Sequence, residues 1–241
     1  MTRERTIPVA RAARRNASAV SLDLVCCSAA DRQLVVLGRV GDRRKKPELP
    51  WMLLAAAEPL GTAAQKFARA ELGRAPAWNS QLGAFSDGHR HPSGAPLTVA
   101  YLVVVPLGTA APNGMGWFPV NAKITVGAEI MAHSRLSLGA RQQSILEAAS
   151  AALRDRMDIA PIAFRMLPNA FTLSELQEIY ELLLGRRLHK ASFRRALQGA
   201  FLVEPAGEWR SEGRGRPAQL FRYAPRHRRA NRRSVRFELL G

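Results

Sequence analysis

Three features of the sequence predict an α/β (α+β) chain in two parts. Strand-like and helix-like segments follow one another as β, β, helix, β, β, helix over residues 19–157, the order of a mixed sheet covered by helices. Beyond residue 159 the apolar spacing turns helical behind a capping signal, then ends in a short hairpin. Positive charge gathers in the same last third, where residues 185–241 hold 15 Lys or Arg against four Glu.

Each element has its own signal. Residues 19–27 and 33–40 are rich in apolar and β-branched side chains and are separated by a polar break at 29–31, so they read as paired strands. Residues 41–50 are charged and turn-like. A helix is predicted over 59–72, with Pro59 at its first position and Gly73 as its stop. Leu60, Ala63, Ala64, Phe67, Ala68 and Leu72 trace its apolar face. Strands return at 80–85 and 97–106 around the loop 86–96, and residues 117–120 lead to a helix over 140–157.

In the last third, Thr172 and Glu175 have the spacing of a capping box. Leu173, Leu176, Ile179, Tyr180, Leu183 and Leu184 then fall at helical spacing, and Gly185 stops the run. After a turn at 186–189 a second helix begins at Lys190. Phe193, Ala196, Leu197 and Ala200 form its inner stripe, while Ala191, Arg194, Arg195 and Gln198 form the outer one. Two helices on a tight turn, the second basic outside and apolar inside, describe a helix-turn-helix. Residues 201–203 and 219–223 read as a β-hairpin whose loop carries Arg210, Arg214 and Arg216, the form of a basic wing. Lys190, Ser192, Arg194, Arg195, Gln198, Arg214 and Arg216 are therefore the candidate DNA contacts.

Composition narrows the function classes. The 241 residues carry 36 Lys or Arg and 19 Asp or Glu, a net charge of +17, which calls for a polyanionic partner such as nucleic acid. A hydrophobic content of 47% supports packed cores and excludes a disordered tail. No apolar run approaches the ~20 residues of a membrane span. The Arg-rich start at 3–15 is not followed by an apolar secretory segment, so a cytoplasmic location is expected. Cys26 and Cys27 are adjacent, which excludes a disulfide framework and a zinc ribbon.

Other residues admit two readings. His89 and His91 could form a metal pair, but no third ligand lies near them, and a surface or ligand-facing loop is the expectation. Arg39, Arg43 and Arg44 could pair with phosphates or be solvated. Glycine-rich phosphate loops and nucleophile elbows are absent from the sequence.

The first part resembles the Nudix fold. In that family Leu-Pro-Gly-Gly precedes the signature G-x5-E-x7-R-E-U-x-E-E-x-G-U, with U a bulky apolar residue. Here Leu49 and Pro50 are followed by Trp51 and Met52; Glu58 falls on the first glutamate and Gly73 on the last glycine. The positions between are Lys66, Phe67, Ala68, Arg69, Ala70 and Glu71, so one of the three helix glutamates remains. The family's carboxylates gather on one helix face around divalent cations that stabilise pyrophosphate hydrolysis. With Phe67 and Ala70 in two ligand positions, the expectation is no metal site, no catalytic residue and no enzyme.

The winged-helix segment resembles the DNA-binding end of the Nudix-related transcriptional regulators of NAD metabolism. Phe171 to Gln177, Lys190 to Leu197 and Gly215 to Tyr223 carry that resemblance, with Thr98, Tyr101, the Trp117-Phe118-Pro119-Val120 run, and Asp87, Arg90 and Pro92 in the loop. An alphaproteobacterial branch of the group has a similarly eroded Nudix-like domain. The resemblance implies a homodimeric repressor of NAD biosynthesis or salvage genes that binds a duplex DNA operator. It needs no cofactor and senses a nucleotide effector, ADP-ribose, ATP or NAD. Arg39, Glu58, Lys66, Glu71, Asp87 and Arg90 are the candidate effector contacts.

The expected partition is a basic arm at 1–17, a Nudix-like domain at 18–138, a linker helix at 139–158, a winged helix at 159–224 and a basic tail at 225–241. Two rival readings remain open: a residual Nudix pyrophosphatase acting on ADP-ribose or a related dinucleotide, and an RNA-binding winged helix.

Overall fold

The computed structural model describes residues 20–40, 46–54, 58–120, 136–157, 160–211 and 217–224. Arg43, Arg44, Arg214, Arg216 and both basic arms lie outside the described residues.

The first two strands, β1 (Val20–Ala30) and β2 (Gln33–Arg39), form an antiparallel hairpin in which Ala30 pairs with Gln33. Its two turn residues, Asp31 and Arg32, both sit in the left-handed region at φ 47° and 58°. Two-residue hairpins favour that geometry because it matches the strand twist. β3 (Trp51–Leu53) pairs antiparallel with the first half of β1, where β2 has already left it. The sequence reading lacked this strand, which is short and follows the prolines at 47 and 50.

β4 (Trp78–Phe85), β5 (Leu97–Val104) and β6 (Met115–Pro119) complete a sheet of order β4-β5-β1-β2-β6. Only β1 and β5 run parallel. They are buried on both faces, which explains their unbroken apolar runs. Leu22, Leu24 and Cys26 point to one face, while Val25, Cys27 and Ala29 point to the other.

α1 (Leu60–Leu72) covers the first face with Ala63, Ala64, Phe67, Ala68 and Leu72. Gly73 ends it at φ 66°, as expected, but Pro59 is the N-cap, one position outside the helix, with an extended ψ of 129°. α2 (Ala140–Arg156) covers the second face with Ile145, Leu146, Ala149 and Leu153. The same apolar cluster continues through α3 (Ile162–Met166), a helix the sequence reading lacked, into α4 (Leu173–Leu184) and α5 (Lys190–Ala200).

β7 (Val203–Arg210) and β8 (Ala218–Tyr223) form the closing hairpin. Its first strand differs from the expected one. Phe201 is the left-handed C-cap of α5, and the strand runs from 203 to 210, so Arg210 belongs to the strand and not to the loop. Among the described residues no helix is long and apolar enough to cross a membrane.

Candidate functional site

The helix-turn-helix is built from its caps inward. Thr172 accepts from the Glu175 amide at 3.1 Å, and Glu175 accepts from the Thr172 amide at 2.7 Å, completing the expected capping box. Gly185 at φ 68° ends α4. Between the helices Glu181 accepts from the Leu188 amide (3.0 Å), from Gln177 (2.9 Å) and from Arg187 (3.1 Å). Burial raises the Glu181 carboxyl pKa, but these donors outweigh it and hold the group below its ordinary value.

Packing then sets the roll of α5. Phe193 and Leu197 are fully buried, and the Phe193 ring meets Tyr180 edge-on at 5.6 Å. Lys190, Arg194, Arg195 and Gln198 consequently face solvent, with Ser192 half-buried and hydrogen-bonded to His189 Nδ1 at 3.2 Å. Among the described residues neither ion pairs nor side-chain hydrogen bonds engage Lys190, Arg194, Arg195 or Gln198. The hairpin is tied to this unit by an ion pair of 2.6 Å from Arg210 to Glu175, the carboxylate that also caps α4. Five of the seven expected DNA contacts thus lie on one helix.

The groove beside α1 has a different character. Arg39 Nη2 meets Glu71 Oε1 at 2.8 Å, and its guanidinium lies 6.0 Å from the centre of the Trp51 ring. Lys66 pairs with Glu58 at 2.8 Å. Phe67 is buried in the α1 core, while Ala70 is exposed. Among the described residues there is no group of three His, Cys, Asp or Glu placed to hold a metal ion. In β1, on opposite faces of the sheet, burial pushes the Cys27 thiol up to about 12 and Cys26 further still, which favours the protonated thiols.

Asp87 and Arg90 lie elsewhere, on the loop that closes over the start of α2. Asp87 accepts from Arg141 Nε at 3.0 Å and from the His89 amide at 3.1 Å. Burial works against its charge, yet these donors prevail and depress its pKa. Arg90 is exposed beside the same helix end. His91 departs from the expected surface position and is fully buried. The Ser93 amide donates to His91 Nδ1 at 3.1 Å, which leaves Nε2 to donate to Asp23 Oδ2 at 2.9 Å. Gln142 of α2 donates to the same oxygen at 2.9 Å and accepts from the Leu49 amide at 3.0 Å.

The buried network of Asp23, His91 and Gln142, and the buried Arg141 beside it, were missed by sequence reasoning. One signal was available: Asp23 is the single charge inside the apolar run of 19–27.

The family model of the NrtR DNA-binding winged helix domain matches residues 163–223. Over those residues the chain is similar to the winged helix of NrtR. The structure of Shewanella oneidensis NrtR complexed with a 27mer DNA superposes with a TM-score of 0.70 at 24% identity, covering 86% of this chain and 94% of that one. A MutT/nudix family protein from Enterococcus faecalis gives 0.65 at 18% identity, covering 88% and 90%. Both likenesses concern the fold, a Nudix-like sheet domain joined to an NrtR winged helix. The ADPR responsive transcriptional repressor NtrR of Acinetobacter baylyi is 37% identical over 90 residues. That match spans 37% of this chain and 36% of the relative's length.

Proposed function

We propose that this NrtR-like chain is a cytoplasmic, homodimeric transcriptional repressor of NAD biosynthesis or salvage genes. One observation carries the reading: the exposed face of α5 presents Lys190, Arg194, Arg195 and Gln198 without side-chain partners among the described residues, in a segment that matches a DNA-binding winged helix domain. Cations left unpaired on a helix of this motif suit phosphates and guanine edges, and Gln198 suits adenine. Ser192, Arg214 and Arg216 complete the proposed DNA contacts. Two copies would read a pseudo-palindromic operator, one half-site each.

The Nudix-like part, residues 18–138, serves as the sensor, followed by a linker helix at 139–158 and the winged helix at 159–224. Its effector is an adenine nucleotide. ADP-ribose is favoured over ATP and NAD by the name of the Acinetobacter baylyi relative. Arg39, Glu58, Lys66, Glu71, Asp87 and Arg90 are the proposed effector contacts. Hydrolysis is disfavoured because Glu71 is already neutralised by Arg39 and Phe67 occupies a ligand position from inside the core.

The test is fluorescence anisotropy with labelled duplexes from upstream of NAD-pathway genes, at ~150 mM salt with excess nonspecific DNA, because low salt flatters any strongly basic protein. Sequence-selective binding released by ADP-ribose, ATP or NAD is expected. Binding indifferent to sequence overturns the repressor reading. Magnesium-dependent cleavage of ADP-ribose that Glu71→Gln abolishes would establish the pyrophosphatase instead.

A further inference from the structure

An open cleft of about 340 Å³ lies between the 86–96 loop and the first turn of α2, lined by His89, Arg90, His91 and Arg141 among others. Arg141 is the unusual member. Its side chain is only 4% exposed, so a permanent cation is held inside the protein. Nε binds Asp87 at 3.0 Å, and Nη1 donates to the carbonyls of Ala95 and Pro96 at 2.8 and 3.1 Å. Nη2 has no partner among the described residues, although Arg141 lines the cleft.

Around that free donor the field is positive. Arg90 and His89 are exposed at the same cleft. The N-cap of α2, Gly139, supplies no side-chain acceptor, and the first turn of the helix has no acid, so its amide dipoles stay uncompensated there. Asp87 is the one carboxylate in the group, and it is already spent on Arg141.

We propose that this cleft is a phosphate subsite, in which Arg141 Nη2, with Arg90 and His89, takes a phosphate or pyrophosphate group of the nucleotide effector. This rests on the effector reading above and adds the residue through which binding is felt. Arg141 belongs to α2, and its neighbour Gln142 is hydrogen-bonded to Asp23 of the sheet. The core that α2 joins runs on into α4 and α5. An anion competing with Asp87 for Arg141 therefore acts on the helix that joins sensor to winged helix. Trp51 extends the same surface toward Arg39, with its ring 5.7 Å from His91 and 6.0 Å from the Arg39 guanidinium.

The experiment is titration calorimetry on the full chain with pyrophosphate and with ADP-ribose, alongside DNA anisotropy. Arg90→Ala and Arg141→Lys are expected to weaken both ligands about tenfold or more, since Lys keeps the charge but loses the fork. Asp87→Asn is expected to tighten pyrophosphate binding a few-fold, which a purely structural clamp would not do. Wild-type affinities in both Arg90→Ala and Arg141→Lys overturn the proposal, as does a wild type that binds neither ligand. Should Arg141→Lys fail to fold by its thermal midpoint, Arg90→Ala and Asp87→Asn decide the matter. Pyrophosphate binding that depends on Arg141, without preference for ADP-ribose or effect on DNA, keeps the subsite and removes the nucleotide-effector reading.

Discussion

α1 and α5 treat their cations in different ways. Beside α1 two cations are matched within the chain: Arg39 against Glu71 and Lys66 against Glu58, each pair at 2.8 Å. On the outer face of α5, Lys190, Arg194 and Arg195 meet no acid among the described residues. Surface cations kept apart from carboxylates cost some mutual repulsion, so their presence on one stripe fits a partner from outside. Charges matched within the chain are open to an outside ligand only by displacing those pairs. The contrast separates a face of cations that suits a polyanion from a groove whose cations are already paired within the chain.

The largest effect is expected where a partner is removed from a buried pair. His91 and Asp23 are both buried, and Asp23 Oδ1 has no hydrogen-bond partner among the described residues. His91→Ala leaves a carboxylate buried with Gln142 as its single donor, and is expected to cost about 3–5 kcal/mol of stability. Urea denaturation of the full chain measures it. A loss below about 1 kcal/mol would mean that water or Gln142 alone satisfies Asp23.

Next in size is the effect on DNA. Arg194→Ala and Arg195→Ala are each expected to weaken operator binding by about 1–3 kcal/mol where a base is contacted. Where a phosphate is contacted instead, affinity should fall across all sequences and the salt slope should drop by about one. Anisotropy at several salt concentrations separates these cases. Unchanged binding in both variants would remove α5 as the recognition helix.

How far these faces could be read from sequence depends on the range of the interactions. The capping box of Thr172 and Glu175, the stops at Gly73 and Gly185, and the inward roll of Phe193 and Leu197 are local, set within a few residues. They were legible for that reason. β3 was not, because three residues have no visible period and their pairing with β1 is a tertiary matter. Nor were the roles of Asp23, His91 and Gln142, which come from three elements separated by long stretches of chain. Of these, only the lone Asp23 left a mark, and it could not name its partners. Arg210 is a further case: its basic surroundings suggested a DNA-facing loop, but the strand register turns it to Glu175.

Acid titration reaches a carboxylate in each part of the chain, Glu181 in the helix-turn-helix and Asp87 in the sheet domain. Glu181 and Asp87 both have pKa values below their ordinary ones, so between the depressed and ordinary values the folded chain binds fewer protons than the unfolded one. Their stabilisation is fully present above the ordinary carboxylate range and is lost as pH falls through the lower folded values. Glu181→Gln should flatten that part of the stability profile, measured by denaturation midpoints from pH 6 to pH 3 (roughly the range over which carboxylates titrate). An unchanged slope would show that the turn at Leu188 is held without this carboxylate.

The smallest effect belongs to the exposed pair beside α1. Lys66 is 70% exposed and Glu58 31%, so their attraction is screened by water and partly offset by ordering a long side chain. Lys66→Ala is expected to change stability by no more than about 1 kcal/mol and to leave DNA affinity alone. Its value lies in the contrast with Arg194, which is also a solvent-facing cation on a helix. If removing Lys66 weakened operator binding as much as removing Arg194, the DNA response would follow net charge and not position. The division between a self-paired groove and a waiting face would then fail. If Lys66→Ala is silent on DNA while Arg194→Ala is not, the difference isolates what pairing, rather than charge, contributes to recognition.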